Sequence, residues 1–216
     1  MTTEQSVMDP QAYFSSTVYT IKKPEFLDVV KTVSMEFLEK RKKDAPDLNE
    51  LYPVYMTEHL GNDPRLAEFA SMLAGTGWNI LQSQGYQMES FNTYLTELWC
   101  QEHYKHSGME QHTHNGPTQL IGFYFLDTPE DCSMPAIHDP RAGKVQSGLP
   151  EKDMATPSLA SNTLYFKPEP GMLFFTNSWL PHTFTRHGSK EPIRFLHFGI
   201  GTQYAAPAQA PEPMIV

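Results

Sequence analysis

The stretch EQHTHNGPTQLIGFYFL, from Glu110 to Leu126, places His112 and His114 just before an apolar run that turn residues bound. The run is short and rich in aromatic residues, which is typical of a buried β-strand. If the segment is extended, both histidines point to the same side, because residues two apart on a strand share a face. The stretch therefore predicts a strand preceded by a pair of imidazoles that could reach one metal ion.

Downstream of Met88 the chain consists of further segments of this kind, short and aromatic-rich, separated by Gly, Pro, Asp and Ser. Strands at such spacing are typical of an antiparallel sandwich or jelly roll. The other segments are SFNTYLTELWCQEHY, SMPAIHDP, TLYFKPEPG, GMLFFTNSWLPHTFTR and IRFLHFGIGTQY.

Upstream of Met88 the apolar residues are spaced as in helices. β-Branched and aromatic residues over 12–21 predict an edge strand. Pro24 stands at the first turn of a predicted helix that ends in the basic run Lys40 to Lys43. Asp63 is a predicted N-cap of a second helix, which we expect to break near Gly75 to Gly77.

We therefore expect a mainly β fold with N-terminal helices, in which a double-stranded β-helix (jelly-roll) core is packed on one face by helices. One domain should span residues 1–204, with a helical layer at 22–84 and a β core at 88–204. The Ala/Pro-rich segment 205–216 is predicted to be a flexible tail.

The net charge of -9 argues against nucleic acid or an anionic membrane surface as a partner. Cys100 and Cys132 are too few for a disulfide framework and fit a reducing compartment. Neither a secretory signal nor a membrane-spanning run is evident, so a cytoplasmic location is expected.

A third histidine and an arginine occur in suggestive positions. His182 follows a Pro-Gly turn, an apolar strand and a polar loop, where it could supply the remote third arm of a metal site. Arg194 opens an alternating strand, and its guanidinium would be costly on the inward face unless an anion meets it. The alternative is a surface or edge arginine.

Together the segments HTHN, GFYFLDTP, AIHDPR, PGMLFFTNSWLPH and IRF resemble the iron(II)- and 2-oxoglutarate-dependent dioxygenases. More narrowly, they are similar to a prolyl-hydroxylase-like branch found in marine bacteria and their phages. The resemblance covers Leu95 to Ile200, about half of the chain. If the protein is phage-encoded, its expected location is the host cytoplasm.

The resemblance implies a metal at the mouth of a double-stranded β-helix, with the cosubstrate 2-oxoglutarate bound deeper. Enzymes of this family use dioxygen to convert 2-oxoglutarate to succinate and carbon dioxide, and usually hydroxylate an unactivated C–H bond. A hydroxylase acting on a peptidyl substrate, prolyl substrates included, or on a small molecule is the implied function.

By the same resemblance His112 and His182 are Fe(II) ligands, and Arg194 binds the far carboxylate of 2-oxoglutarate. Imidazole nitrogen suits Fe(II), and three facial ligands leave open positions for the cosubstrate and for dioxygen. Arginine offers a planar fork that matches a carboxylate, which lysine does not.

The chain departs from the usual pattern, because His114 stands where the family carries Asp or Glu. Either His114 completes a three-histidine site, which we favour, or Asp139 in the HDPR segment supplies the third ligand. Asp139 could instead cap backbone amides in a turn. Arg141 either lines the pocket or lies on the surface.

The sequence does not fix which face of its strand Tyr124 occupies. Its hydroxyl either donates to 2-oxoglutarate or its side chain packs outside the barrel. His197 is predicted to be a pocket-wall residue rather than a ligand. The remaining histidines of the β region are expected to be mostly solvated in loops or turns: His103, His106, His138 and His187.

Two rival functions remain at the level of sequence. A cupin-type metalloprotein that uses no 2-oxo acid would share the His-x-His pair, with Gln119 near the place of the cupin glutamate. A non-catalytic jelly-roll binding protein would carry the histidines incidentally. Arg194 separates the first rival from the dioxygenase, because a cupin has no need of it.

Overall fold

The structure, a computed structural model, describes residues 8–146 and 148–205. The predicted tail lies outside the described residues except for Ala205. Along the described chain the helices and strands are β1 (Val18–Lys22), α1 (Leu27–Asp44), β2 (Val54–Met56), α2 (Ala67–Ser83), β3 (Phe91–His103), β4 (Met109–His112), β5 (Thr118–Asp127), β6 (Pro135–His138), β7 (Thr163–Tyr165), β8 (Met172–Asn177), β9 (His182–Phe184) and β10 (Ile193–Tyr204).

Two antiparallel sheets form the β core. The larger has the strand order β1-β8-β5-β10-β3-β2, and the smaller has the order β4-β9-β6-β7. The four central strands of the larger sheet and the four of the smaller one have the order of a jelly roll. β1 and β2 extend the larger sheet at its two edges. The predicted double-stranded β-helix is therefore confirmed.

The two helices cover the outer face of the larger sheet, as predicted. Successive side chains of a strand point to opposite faces. On β10, Leu196 and Phe198 pack in the cluster that includes the helices, whereas Phe195 packs in the cluster inside the barrel. Because both faces are buried, β5 and β10 are apolar almost throughout rather than alternating with polar residues.

Both helical segments begin with a proline, Pro24 and Pro64, placed in a 3-10 turn that precedes the α-helix. Asp63 caps the 3-10 turn that precedes α2, since its carboxylate accepts a hydrogen bond from the backbone N–H of Arg65. The expected break near Gly75 to Gly77 is wrong, because α2 is continuous to Ser83. A Cβ at Gly77 would lie 2.6 Å from Ile200 Cδ1, so glycine lets α2 approach β10 closely.

The predicted edge strand is present but shorter than expected. β1 begins at Val18 rather than at residue 12, and it pairs with β8 at the edge of the larger sheet. Residues 12–17 are not in a strand. Among the described helices, none has both the length and the apolar character required to cross a membrane.

Candidate metal site

Two of the predicted ligands face each other across neighbouring strands of the smaller sheet. His112 ends β4 and His182 begins β9, and the two are directly paired in the ladder with ring centroids 4.3 Å apart. His114 follows in the next loop, where its backbone N–H donates to the carbonyl of Ser178 at 2.8 Å. The three side chains can each offer a nitrogen within 4.8 Å of the other two.

Backbone carbonyls orient two of these rings. His112 Nδ1 lies 2.8 Å from the carbonyl oxygen of Glu110, and His182 Nδ1 lies 2.9 Å from that of Leu180. When Nδ1 carries the donated proton, Nε2 is left with a free lone pair, which is the usual arrangement of a metal-binding histidine. The carbonyls therefore select the tautomer that a metal site needs.

Two of the Nε2 atoms have no hydrogen-bond partner among the described residues. Nε2 of His114 and Nε2 of His182 are both buried without a hydrogen bond. Buried polar atoms are nearly always paired, and one without a partner calls for an explanation such as an ion. Burial also lowers the pKa of His182 to about 3, so this imidazole is neutral and free to act as a ligand. The residues present therefore fit a metal ion.

A glutamate and a fourth histidine lie behind this group. Glu97 Oε1 accepts a hydrogen bond from His197 Nε2 at 2.8 Å and lies 3.4 Å from His114 Nδ1. The rings of His114 and His197 are stacked with centroids 4.9 Å apart. Burial raises the pKa of Glu97, but the contacts with His114 and His197 outweigh it and hold the pKa at about 2. Glu97 is therefore an anion beside the candidate ligands.

Glu97 was missed by the sequence reasoning, while His197 was predicted as a pocket-wall residue. Glu97 lies on β3 opposite Gly199 of β10. A Cβ at Gly199 would lie 2.8 Å from Glu97 Cγ, so the glycine makes room for the glutamate side chain. Glycine within the FGIG strand was the signal available, because strand glycines often mark a close approach of another group.

Arg194 is not brought to the histidines. On β10 it has the parity of Leu196, and it points toward the helices rather than into the barrel. Its Nε donates to Glu102 at 2.5 Å and its Nη1 donates to Asp127 at 3.0 Å. The guanidinium does meet anions, as its position required, but they are carboxylates of this chain. The placement gives no support to the expected role in 2-oxoglutarate binding.

Tyr124 also faces the helices, which is the second of the two alternatives left by the sequence. It is fully buried, its hydroxyl donates to the carbonyl of Lys23 at 2.7 Å, and its ring packs against Phe69 of α2. The neighbouring Phe123 and Phe125 take the inward positions.

Asp139 and Arg141 form a turn in the loop after β6. Asp139 accepts hydrogen bonds from the backbone N–H and from Nε of Arg141, both at 2.9 Å. Two groups of candidate ligands occur among the described residues, and neither includes Asp139. The turn alternative describes Asp139 in this structure, and Arg141 lies on the rim of a surface cleft.

The expectation of solvated histidines holds only in part. His106 is exposed, but His103 and His187 are buried, so that part of the expectation is wrong. His103 lies on β3 and contacts Gln101 at 2.8 Å. His138 is half-buried, and both of its ring nitrogens lie near threonine hydroxyls. His103 is the last residue of β3, and its ring packs against Phe184 and Phe195 inside the barrel.

Residues 97–195 match a family model described as putative 2OG-Fe(II) oxygenase. These residues include His112, His114, His182 and Glu97. No match was found among curated proteins. The predicted resemblance to the iron(II)- and 2-oxoglutarate-dependent dioxygenases is therefore confirmed, and the expected Fe(II) and 2-oxoglutarate are the cofactors of this family. The narrower branch from marine bacteria and phages stays a prediction.

Solved structures of the same fold support this assignment. SnoK, a non-heme alpha ketoglutarate dependent carbocyclase from nogalamycin biosynthesis, is 12% identical, with a TM-score of 0.62 over 90% of this chain and 84% of that chain. AviO1 from Streptomyces viridochromogenes Tue57 is 12% identical, with a TM-score of 0.61 over 89% and 93%. A prolyl-4-hydroxylase from Pseudomonas putida is 13% identical, with a TM-score of 0.54 over 87% and 93%. At these identities the likeness establishes the fold.

Proposed function

Proceeding from the 2OG-Fe(II) oxygenase match, we propose that the protein is an Fe(II)- and 2-oxoglutarate-dependent dioxygenase whose iron is held by His112, His114 and His182. The observation that carries this proposal is the meeting of three imidazoles at one end of the barrel, two of them with a buried Nε2 that has no partner. Three facial ligands leave the remaining positions of an octahedral ion for cosubstrate and dioxygen.

Each residue near the site has a distinct task. The carbonyls of Glu110 and Leu180 hold the rings of His112 and His182, and Glu97 faces Nδ1 of His114. Three neutral imidazoles give a site one charge more positive than two imidazoles and a carboxylate. Glu97 supplies a negative charge immediately behind His114, which partly offsets this difference. Bound Fe(II) would supply the activation of dioxygen at the expense of 2-oxoglutarate.

The far carboxylate of 2-oxoglutarate has no cationic partner in the described barrel. Among the described residues no lysine or arginine is buried. The inward-facing polar groups of β3 beyond Glu97 are neutral, since burial lowers the pKa of His103 to about 3. The Nε1 atom of Trp99, whose ring packs against His197, is a buried donor without a partner. The residues thus fit the metal better than they fit the distal carboxylate.

That difference favours a second candidate function, a cupin-type metalloenzyme that uses the same three histidines without 2-oxoglutarate. Arg194, which was expected to separate the two, lies outside the barrel. Gln119, near the place of the cupin glutamate, has an exposed side chain. The family match favours the 2-oxoglutarate-dependent enzyme.

The reaction and substrate remain at the level of proposal. The structural relatives include a prolyl-4-hydroxylase and a carbocyclase, so this fold supports more than one oxidative outcome. We propose hydroxylation of a small-molecule or peptidyl substrate in the cytoplasm, with neither nucleic acid nor a membrane as a partner. The net charge of -9 supports the proposal that neither nucleic acid nor a membrane is a partner.

The test is an anaerobic titration of the full chain with Fe(II) and then with 2-oxoglutarate, followed by a succinate assay once oxygen is admitted. We expect one iron per chain, saturable 2-oxoglutarate binding and slow succinate formation without substrate. His182→Ala should lose iron binding, whereas His138→Ala should keep it, because His138 faces threonines. Iron binding without succinate would favour the cupin-type enzyme, and absence of iron binding would exclude both.

A further inference from the structure

A cleft of about 590 Å³ lies beside the candidate metal site. Its floor is formed by Ile137 and Leu180, one wall by residues 10–18, and the other by residues 139–141 and 158–164. We call it the edge cleft, because it opens between β1 and β7, the edge strands of the two sheets. Its volume is within the range of ordinary small-molecule sites, about 300–1,000 Å³.

The floor of the edge cleft is in direct contact with a candidate metal ligand. The carbonyl of Leu180 is the group that holds His182 Nδ1. Ile137 is the partner of His182 in the ladder between β6 and β9. Val18, at the other side of the cleft, pairs with Thr176 at the end of β8 that leads toward His182. A molecule in the cleft would therefore lie at the metal end of the barrel.

The walls carry large apolar side chains that no other part of the described chain covers. Phe14, Tyr13 and Leu159 are 97%, 75% and 86% exposed. Phe14 also has a φ of 58°, in the left-handed region that bulky residues rarely adopt. An aromatic residue held in this conformation and left in water suggests that a ligand completes its packing.

The charged groups of the edge cleft neutralise one another. Asp139 and Arg141 are its two charged residues, and they are joined by hydrogen bonds of 2.6 and 2.9 Å. Burial lowers the pKa of His138, so the one imidazole of the lining is neutral. The other polar lining groups are serines and amides, which bind uncharged hydroxyl, amide or carbonyl groups.

We propose that the edge cleft binds the substrate of the metal centre, and that this substrate is an uncharged small molecule with a ring system. The inference rests on the proposed function and narrows it from a peptidyl or small-molecule substrate to the second. The enclosed shape, the exposed aromatic walls and the absence of an unpaired charge among the described lining residues all favour such a ligand. Phe14 and Leu159 hold its ring, and the serines hold its polar groups.

The first experiment compares two probes that differ in one charge. N-phenyl-1-naphthylamine is neutral, and 8-anilinonaphthalene-1-sulfonate adds a sulfonate to the same ring system. Both fluoresce when bound, so each can be titrated against the full chain loaded with Zn(II). We expect the neutral probe to bind at one site, at least ~10-fold more tightly than the sulfonate, since an unpaired buried anion is costly. Equal or tighter binding of the sulfonate would overturn the proposal.

The second experiment locates the binding site of the probe with a matched pair of variants. Leu159 and Leu149 lie in the same loop and are 86% and 84% exposed, but only Leu159 lines the edge cleft. We expect Leu159→Asp to weaken binding of the neutral probe by ~10-fold, because an apolar contact is replaced by a charge. Leu149→Asp should change it less than ~2-fold. Equal effects of the two variants would mean that the probe binds elsewhere, and the assignment would fail.

The third experiment relates the probe to the metal. With Mn(II) in place of Zn(II), proton relaxation of the bound neutral probe should be strongly enhanced in the wild-type chain. Enhancement should disappear in His182→Ala. Binding of Mn(II) is measured separately by the loss of the free-ion EPR signal, so the two proposals can fail separately. Failure of Mn(II) to bind overturns the metal site. Bound Mn(II) without enhancement overturns the edge cleft as the substrate site.

Discussion

Glu97 links the larger sheet to the loop that carries His114. It lies on β3 of the larger sheet and contacts His114, which precedes β5, and His197 of β10. A carboxylate behind a metal-bound imidazole fixes the ring and raises its basicity, and loss of such a partner typically costs about 10–100-fold in metal affinity. Glu97 is therefore a positioning residue, because it acts through His114.

We expect Glu97→Gln to weaken Co(II) binding by ~10–100-fold and to alter the visible spectrum of bound Co(II). Glu97→Asp should recover part of the affinity because it keeps the charge. Titration with Co(II) measures both, and Glu89→Gln, at an exposed position just before β3, is the control. Unchanged affinity and spectrum in a folded Glu97→Gln variant would remove Glu97 from the site.

Arg194 acts on stability in this structure. Its Glu102 partner is completely buried, and Lys42 is the other cation that reaches Glu102. Removing one partner of a buried pair typically costs about 3–5 kcal/mol, so Arg194→Ala should lower the free energy of unfolding by about 2–4 kcal/mol with Lys42 still present. Urea unfolding measures this loss. Affinity for 2-oxoglutarate should stay within ~3-fold, and a loss of 100-fold in folded protein would restore the role expected from the sequence.

At the residue scale, the sequence predicted which residues form the candidate site better than it predicted which way side chains on the strands point. His112 and His114 could be selected because residues two apart in an extended segment share a face, and His182 because it follows a matching apolar segment. Arg194 and Tyr124 were harder, because β5 and β10 are buried on both faces and lack the alternation that reveals parity. Glu97 could have been inferred only indirectly, from the glycine opposite it in the neighbouring strand.

The contact between α2 and β10 depends on one of two glycines in the same helix. A Cβ at Gly77 would lie 2.6 Å from Ile200 Cδ1, whereas a Cβ at Gly75 would have no neighbour within 4 Å. We expect Gly75→Ala to raise the free energy of unfolding by about 0.5–1 kcal/mol through helix propensity. Gly77→Ala should lower it by about 1–2 kcal/mol through overpacking. Urea unfolding of both variants tests this, and two increases of equal size would contradict the close approach.

Ion pairs fasten α1 to the larger sheet, and they make this contact sensitive to acid. Lys31 pairs with Asp127 at 2.5 Å, and Lys42 pairs with Glu102 at 3.0 Å. Burial raises the pKa of both carboxyls, but hydrogen bonds outweigh it and lower them: Tyr104, Lys42 and Arg194 donate to Glu102, and Lys31 and Arg194 donate to Asp127. A lowered folded-state pKa adds stability above the unfolded value and loses it as the pH falls.

Burial lowers the pKa of His103 and His182 to about 3, so the wild-type chain should begin to lose stability below about pH 6.5, where these groups become charged only in the unfolded chain. Below about pH 4.5, near the ordinary pKa values of Glu102 and Asp127, loss of the ion pairs should add to this decrease. Arg194→Ala should lose less stability over the same range, because the pKa of Glu102 is less depressed without the guanidinium. Urea unfolding at four pH values measures both slopes. Parallel curves for the two chains would show that this network does not contribute to the pH dependence.

At the element scale, helices and strands were predictable where the spacing of apolar residues agreed with boundary residues such as proline. Pro24 and Pro64 do open the helical segments. The continuity of α2 was not predictable, because glycine in a sequence usually indicates the end of a helix. Here a glycine is favourable only because β10 packs closely against the helix. The start of β1 at Val18 depends on its pairing with β8, a contact distant in the chain.

At the scale of the whole molecule, the jelly roll and its helical layer follow from the sequence pattern, while the substrate site does not. The floor of the edge cleft belongs to the core, but its walls are formed largely by segments outside the eight core strands, and they depend on how residues 10–18, 139–141 and 158–164 lie against one another. No periodicity encodes such a placement. The family match includes the wall formed by residues 139–141 and 158–164 but not the wall formed by residues 10–18.

X-ray absorption spectroscopy of the full chain loaded with one equivalent of Fe(II) under argon tests the central claim most directly. The protein should supply three imidazoles to the iron, with no protein carboxylate, and His114→Asp should replace one imidazole by an oxygen ligand while iron stays bound. A wild-type spectrum with two imidazoles and a protein carboxylate, or a His114→Asp spectrum with the same imidazole count as wild type, would contradict the three-histidine site.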